Sequence, residues 1–216
     1  PALSRRVNVD ATLCLLEALD RRETASRFVY ASSIAVFGQT TSPVDDQTVP
    51  EPAMIYGAHK RMVEIALQDF HRRGRVSGIA LRLPGIVARP RGNVGLKSAF
   101  MSDIFSAARA AEPFTMPVSP KATMWLMSAR QAAQNLVHAA FLGATDGRAL
   151  TLPALRVSAA ELVAALYGRE DLVSYDPDPA LEAHFGALPP LATPAAQALG
   201  FAHDGTIAEL IRKALP

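Results

Sequence analysis

Apolar residues in this chain keep two rhythms, and each predicts its own kind of element. From Arg27 to Ser33 the order Arg-Phe-Val-Tyr-Ala-Ser-Ser is a nearly unbroken apolar run that closes on two serines, and Ile79 to Leu83 is a second such run. Short apolar runs without alternation belong to strands covered on both faces. Elsewhere the spacing is helical. It predicts a helix from Ser4 to Leu19 with Val7, Leu13, Leu16 and Leu19 on one side, and another from Met54 to Arg73 with Met62, Ile65, Ala66 and Phe70 apolar. Strand, helix and strand in that order predict two parallel strands joined by a crossover, the unit of an α/β fold. The Pro-punctuated, acidic stretch Thr40 to Ala53 reads as the loop between them.

Past Leu83 the pattern changes. Pro and Gly cluster from Pro90 to Gly95, which marks a boundary between two parts of the chain. Beyond it the spacing predicts helices from Phe100 to Ala111 and Ser128 to Leu142, a short extended piece at Thr115 to Pro117, and a strand at Ala149 to Leu152. Ser158 is placed to cap Ala159 to Tyr167, with Glu161 at the capping-box position, and Thr206 to cap a last helix through Leu215.

Chemistry concentrates where the first strand and second helix meet. Tyr56 and Lys60 stand four residues apart in Tyr-Gly-Ala-His-Lys and so share a helix face. If that helix lies beside the strand ending at Ser33, one hydroxyl, one phenol and one ammonium converge at the carboxyl end of a parallel sheet, where open α/β sheets place ligands. A free phenol titrates near pH 10, so a Tyr acting as base at neutral pH needs its phenolate favoured by about 3 units, or about 4 kcal/mol. An adjacent ammonium supplies part of this, and a serine hydroxyl can hold a substrate oxygen within reach of the phenol. Taken alone, a Tyr and a Lys four apart are more often a surface pair. The strand, loop and helix around them raise the catalytic reading.

Composition narrows the classes. The 216 residues are 50% apolar and 19% charged with a net charge of +2, enough for one good core or one and a half domains. Basic residues are spread along the chain, so no nucleic-acid partner is expected; the group Arg72-Arg73-Gly74-Arg75 follows a helix and complements its dipole. The apolar runs are too short and interrupted to span a bilayer, and no leader is seen, so a cytoplasmic protein is expected. The sole cysteine, Cys14, excludes an internal disulfide, and its apolar neighbours predict core packing. His59, His71, His138, His184 and His203 have no metal-ligand spacing, so no metal is expected, and His59 is placed on the helix surface.

These motifs resemble the extended short-chain dehydrogenase/reductase superfamily, the NAD-dependent epimerase/dehydratase family. Asn8-Val9-Asp10-Ala11-Thr12 is similar to its Asn-x-x-Gly-Thr helix with alanine for glycine, Phe28 to Gly38 to its active-site strand and loop, Tyr56 to Lys60 to its Tyr-x-x-x-Lys, and Leu81-Arg82-Leu83-Pro84 to its next strand. Later segments, including Trp125 with Ser128, Asn135 to Ala139 and Ala198 to Phe201, resemble its sugar-acid dehydrogenases. The resemblance implies a Rossmann-type doubly wound parallel sheet with a smaller α+β substrate-binding region. Residues 1–90 would hold the rear part of the dinucleotide-binding domain and 91–216 mainly the substrate side, with about 128–155 returning to the core.

The resemblance also implies a function: oxidation of a secondary alcohol of a sugar acid or polyol acid with NAD, NADP remaining open. Tyr56 would be the base, Lys60 the group that holds the cofactor ribose and tunes the phenol, and Ser33 the orienting hydroxyl. Ser32, Pro84, Gly85 and Ile86 would border the cofactor. Ser33, Ile34, Asn93, Ser98 and Arg89 would meet substrate, with Arg89, Arg91 or Lys97 as the cation for a carboxylate. Asn8 would organise the surroundings of Lys60, or else cap a helix start. A homodimer through helices 4–19 and 54–73 is implied as well.

One family feature is absent. No Gly-rich turn of the kind that cradles a pyrophosphate occurs in these 216 residues. The chain is expected to open inside the fourth helix of a Rossmann domain, lacking its early βαβ units, with the free edge of strand 27–33 covered by a further segment, a second copy or a rearrangement. Two alternatives to the dehydrogenase stand: a nucleotide-sugar epimerase or dehydratase of the same family, and a truncated non-catalytic module that cannot bind NAD.

Overall fold

The computed structural model describes residues 2–88, 97–168 and 172–215. It opens on one long helical passage, in which α1 (Ala2–Arg5) runs through a π-helical turn (Arg6–Asp10) into α2 (Ala11–Asp20). A π turn takes an extra residue and rotates the helical segment before it against the segment after it. Val7, expected beside Leu16 on the packed side, is therefore 62% exposed, and Val9 is buried instead. Cys14 is exposed, not in the core. It lies two residues from the fully buried Leu16, about 200° around the helix, on the opposite side.

β1 (Ser26–Ser33) leads into a 3₁₀ turn (Ile34–Phe37), a long loop, α3 (Ile55–Arg72) and β2 (Val76–Leu83). The two strands are parallel and in register from Ser26 with Val76 to Ser33 with Leu83. There follow β3 (Gly85–Val87), α4 (Phe100–Ala110), β4 (Phe114–Met116), β5 (Thr123–Ser128), α5 (Ala129–Phe141), β6 (Ala149–Thr151), β7 (Leu155–Ser158), α6 (Ala159–Tyr167), β8 (Val173–Tyr175), α7 (Pro179–Phe185), α8 (Pro194–Ala198) and α9 (Ile207–Ala214). The expected capping box forms at Ser158 and Glu161, and Thr206 caps α9.

The architecture is α/β and Rossmann-like. Its first sheet has the order β1-β2-β6, all parallel. β2 is central and covered twice. Val76 and Ala80 join Leu16, Val63, Leu67 and Phe70 from α2 and α3, while Ile79 and Leu81 join Ala132, Ala139 and Leu150 on the side of α5. That double cover is why this strand reads as an unbroken apolar run. A second sheet, β3-β5-β7, is mixed, and β4 pairs with β8. β5 went unrecognised in the sequence because Thr-Met-Trp-Leu-Met-Ser has no alternation of its own; it is almost wholly buried.

β1 borders its sheet and has no strand partner on its second edge among the described residues. The face predicted for α3 also needs correction. Phe70 is buried as expected, but Met62 and Ile65 are exposed, and Gly57, Val63, Glu64 and Leu67 are the other buried residues. Among the described residues no helix is long and apolar enough to cross a membrane.

Candidate active site

Three backbone arrangements bring the site together. Gly57 follows Tyr56 in the first turn of α3, and a Cβ there would lie 2.1 Å from the Ala35 carbonyl oxygen. Only glycine lets α3 press on the 3₁₀ turn that leaves β1. The Ser33 hydroxyl caps that turn, accepting the Ala35 N–H at 3.2 Å, which fixes its direction at the strand end. One helical turn past Tyr56, Lys60 reaches back to the same strand and donates to the Ala31 carbonyl at 2.8 Å.

The ammonium of Lys60 lies between two rings, 4.8 Å from the centroid of Tyr30 and 5.5 Å from that of Tyr56. Ring faces attract a cation at this range. Burial pulls Lys60 below its ordinary value. Burial raises the Tyr30 phenol, with the negative charges that Tyr56 and Glu64 can carry adding to the effect. Among the described residues the buried Tyr30 hydroxyl has no hydrogen-bond partner.

Ser33, Tyr56 and Lys60 line one cavity of about 560 Å³ at the carboxyl ends of β1 and β2. This volume is in the range of small-molecule sites. Ser32, Ile34, Pro84, Gly85, Ile86, Lys97 and Ser98 line it too, as do Met101, Trp125, His184, Phe185 and Leu188. Trp125 is fixed by donation from its indole N–H to the Pro189 carbonyl at 2.7 Å. Arg89, Arg91 and Asn93 lie outside the described residues. No local signal marked His184, because its place depends on a contact with Gln39, 145 positions earlier in the chain.

Ser32 lines the cavity, but its hydroxyl is committed elsewhere. It donates to Glu64 at 2.6 Å, and Glu64 also accepts two bonds from Arg82 at 3.0 Å each and one from Arg61 at 3.0 Å. Glu64 is one turn past Lys60, Arg82 is the register partner of Ser32, and all three of Ser32, Glu64 and Arg82 are buried. This network ties α3, carrying the phenol and ammonium, to β1 and β2.

Asn8 lies inside the helical passage, not at a helix start, so capping is excluded as its role. Its amide, in the π turn, donates back to the Ser4 carbonyl of α1 at 2.9 Å, and the Ser4 hydroxyl is 3.2 Å from Nδ1 of His59 on α3. π turns of this kind concentrate at functional sites.

Comparison with known proteins gives the family. The NAD dependent epimerase/dehydratase family matches residues 1–145. The chain belongs to that family. Among curated proteins it is 34% identical over 220 residues to D-erythronate dehydrogenase of Cupriavidus necator, covering 97% of this chain and 68% of that protein. It is 32% identical over 170 residues to D-erythronate dehydrogenase of Haemophilus influenzae, covering 77% of this chain and 54% of the relative. Among solved structures, the nucleoside-diphosphate-sugar epimerase from Agrobacterium tumefaciens superposes with a TM-score of 0.86 at 28% identity, over 96% of this chain and 65% of that one. The chain thus spans between about half and two thirds of these relatives' lengths.

Proposed function

We propose that this epimerase/dehydratase-family chain oxidises a secondary alcohol of a sugar acid, of the D-erythronate type, by transferring hydride to NAD. The observation that carries this is the meeting of Ser33, Tyr56 and Lys60 in one cavity at the carboxyl ends of two parallel strands. The curated relatives named for D-erythronate support the substrate class.

In this reading Ser33 donates to the substrate hydroxyl oxygen and turns its proton toward Tyr56. The Tyr56 phenolate takes that proton as the C–H bond breaks. Lys60 favours the phenolate by its charge and presents an N–H donor to ribose hydroxyls. A bound nicotinamide supplies the hydride acceptor. Leu83, Pro84 and Ile86 line the same cavity as Lys60 and offer an apolar wall that suits a flat ring, and Gly85 lets this strip pack close to Met101 and the Trp125 carbonyl. The residues here fit the nicotinamide end of a dinucleotide; a Gly-rich cradle for its phosphates is not among these 216 residues. Residues 1–90 would carry this machinery and 91–216 the substrate side, with about 128–155 returning to the core where β6 pairs with β2. A homodimer through helices 4–19 and 54–73 is supported by exposed Val7, Leu15, Ile55, Met62 and Ile65. The single cysteine suits a cytoplasmic setting.

The test is NADH absorbance with NAD and D-erythronate, run beside calorimetric titration of NAD. Net NADH should accumulate, and Tyr56→Phe should lower turnover by about 10²- to 10⁴-fold while sugar-acid binding persists. NAD binding without NADH from any sugar acid would point to an epimerase or dehydratase, which returns the hydride. Failure of NAD to bind would favour the non-catalytic module.

A further inference from the structure

The cavity has a polarity that the proton chemistry does not use. Its ionisable lining groups among the described residues are Tyr56, Lys60, Lys97 and His184, with no Asp or Glu. Lys60 is engaged with Ala31, which leaves Lys97 and His184 as groups without a part in the reaction. A concave site whose described lining holds cations and donors and no carboxylate favours an anionic ligand.

His184 is also held in place. It is the penultimate residue of α7, whose start is capped by Asp178 accepting from Ala180 and Leu181. Glu182 on the same helix accepts from the Ser119 N–H at 2.6 Å and the Ser119 hydroxyl at 2.7 Å. The carbonyl of Gly186, just past the helix, accepts from the Thr123 N–H at 2.6 Å and joins α7 to the strand carrying Trp125. On the ring itself, the Gln39 amide donates to Nδ1 at 3.3 Å. An imidazole accepting at Nδ1 carries its proton on Nε2, so the remaining donor belongs to a residue that lines the cavity.

We propose that His184, held by Gln39, together with Lys97 forms the carboxylate-recognition end of this cavity and selects sugar acids over uncharged polyols. This rests on the sugar-acid reading above and goes past it by naming the groups that read the acid. His184 contributes an N–H donor at Nε2, and Lys97 contributes charge. Hydrogen bonds to an ionised partner are the strong ones, so each should matter measurably.

The test is ligand-observed NMR titration of the purified chain with sodium erythronate, erythritol and inorganic pyrophosphate, with and without NADH. The wild type should bind the acid more tightly than the polyol. His184→Leu should weaken acid binding about tenfold or more and leave erythritol binding unchanged; His184→Gln, which keeps an N–H donor, should recover part of the loss. Lys97→Met should weaken the acid in the same direction. Unchanged acid binding in folded His184→Leu overturns the proposal, as does equal binding of acid and polyol by the wild type, or binding of neither. A His184→Leu defect confined to pyrophosphate overturns it too, since the pair would then serve the cofactor's phosphates. Acid binding that depends on His184 without NADH formation in the separate assay would sink the dehydrogenase reading and leave this site standing.

Discussion

Glu64→Gln is the substitution whose consequence the geometry fixes most tightly. The carboxylate is 3% exposed and accepts four hydrogen bonds, two of them from a buried Arg82 guanidinium. An amide in its place keeps the shape but removes the charge and turns one acceptor into a donor facing other donors. Breaking a buried pair by neutralising one partner costs about 3–5 kcal/mol, because the other charge stays desolvated. Two features moderate this. Arg61 is 36% exposed in its side chain, so its share is screened by water. The Arg82 guanidinium also keeps its place 5.0 Å from the Phe37 ring centroid. A loss of about 3 kcal/mol is expected, which for a chain of this size lowers Tm by about 6–12 °C. Urea and thermal unfolding followed by circular dichroism measure it directly. Ser32→Ala should cost less, about 1.5–2 kcal/mol, and the double replacement Glu64→Leu with Arg82→Met should recover most of the loss because no buried charge is left unpaired. A Glu64→Gln protein within about 1 kcal/mol of the wild type, or a double variant worse than the single one, would show that this network does not brace the site.

Other consequences can be checked alongside. Gly57→Ala places a methyl where the Ala35 carbonyl oxygen stands 2.1 Å away, so the first turn of α3 must move; kcat should fall about 10²-fold with a smaller change in KM. Burial lowers Lys60 from its ordinary 10.5, so between the lowered value and 10.5 the unfolded chain binds more protons and stability gains from Lys60 as pH rises. Urea titrations at stepped alkaline pH should show that extra slope in the wild type and not in Lys60→Met; identical slopes would mean the ammonium is not buried as described. Ile65→Arg and Leu15→Glu put charge on exposed apolar positions of the proposed dimer face. Sedimentation should register loss of the dimer, and a wild-type protein that is already monomeric would remove that proposal.

Much of this fold was written locally. The apolar run at 79–83 could be read because a strand covered on both faces has little choice but to be apolar throughout; the run at 27–33 could be read although β1, at the sheet's border, is mostly half-buried. The caps at Ser158 and Thr206 were equally plain, since three or four neighbouring residues satisfy a helix start by themselves. Tyr56, Lys60 and Ser33 were legible for the same reason: one helical turn sets the first pair, and the strand's end sets the third.

The rest needed the folded chain. Val7 and Val9 are equally apolar, and the π turn between α1 and α2 decides which is buried. Glu64, Arg82 and Ser32 read as unrelated polar residues until parallel register and helix packing bring them within 3.0 Å. His184 meets Gln39 only because α7 is pinned to the start of β5, a strand with no periodic signature of its own. Periodicity and capping depend on neighbours a few residues away, so a linear sequence carries them. The electrostatic character of the cavity depends on side chains from distant segments sharing one small volume, and only the packing of those segments determines it.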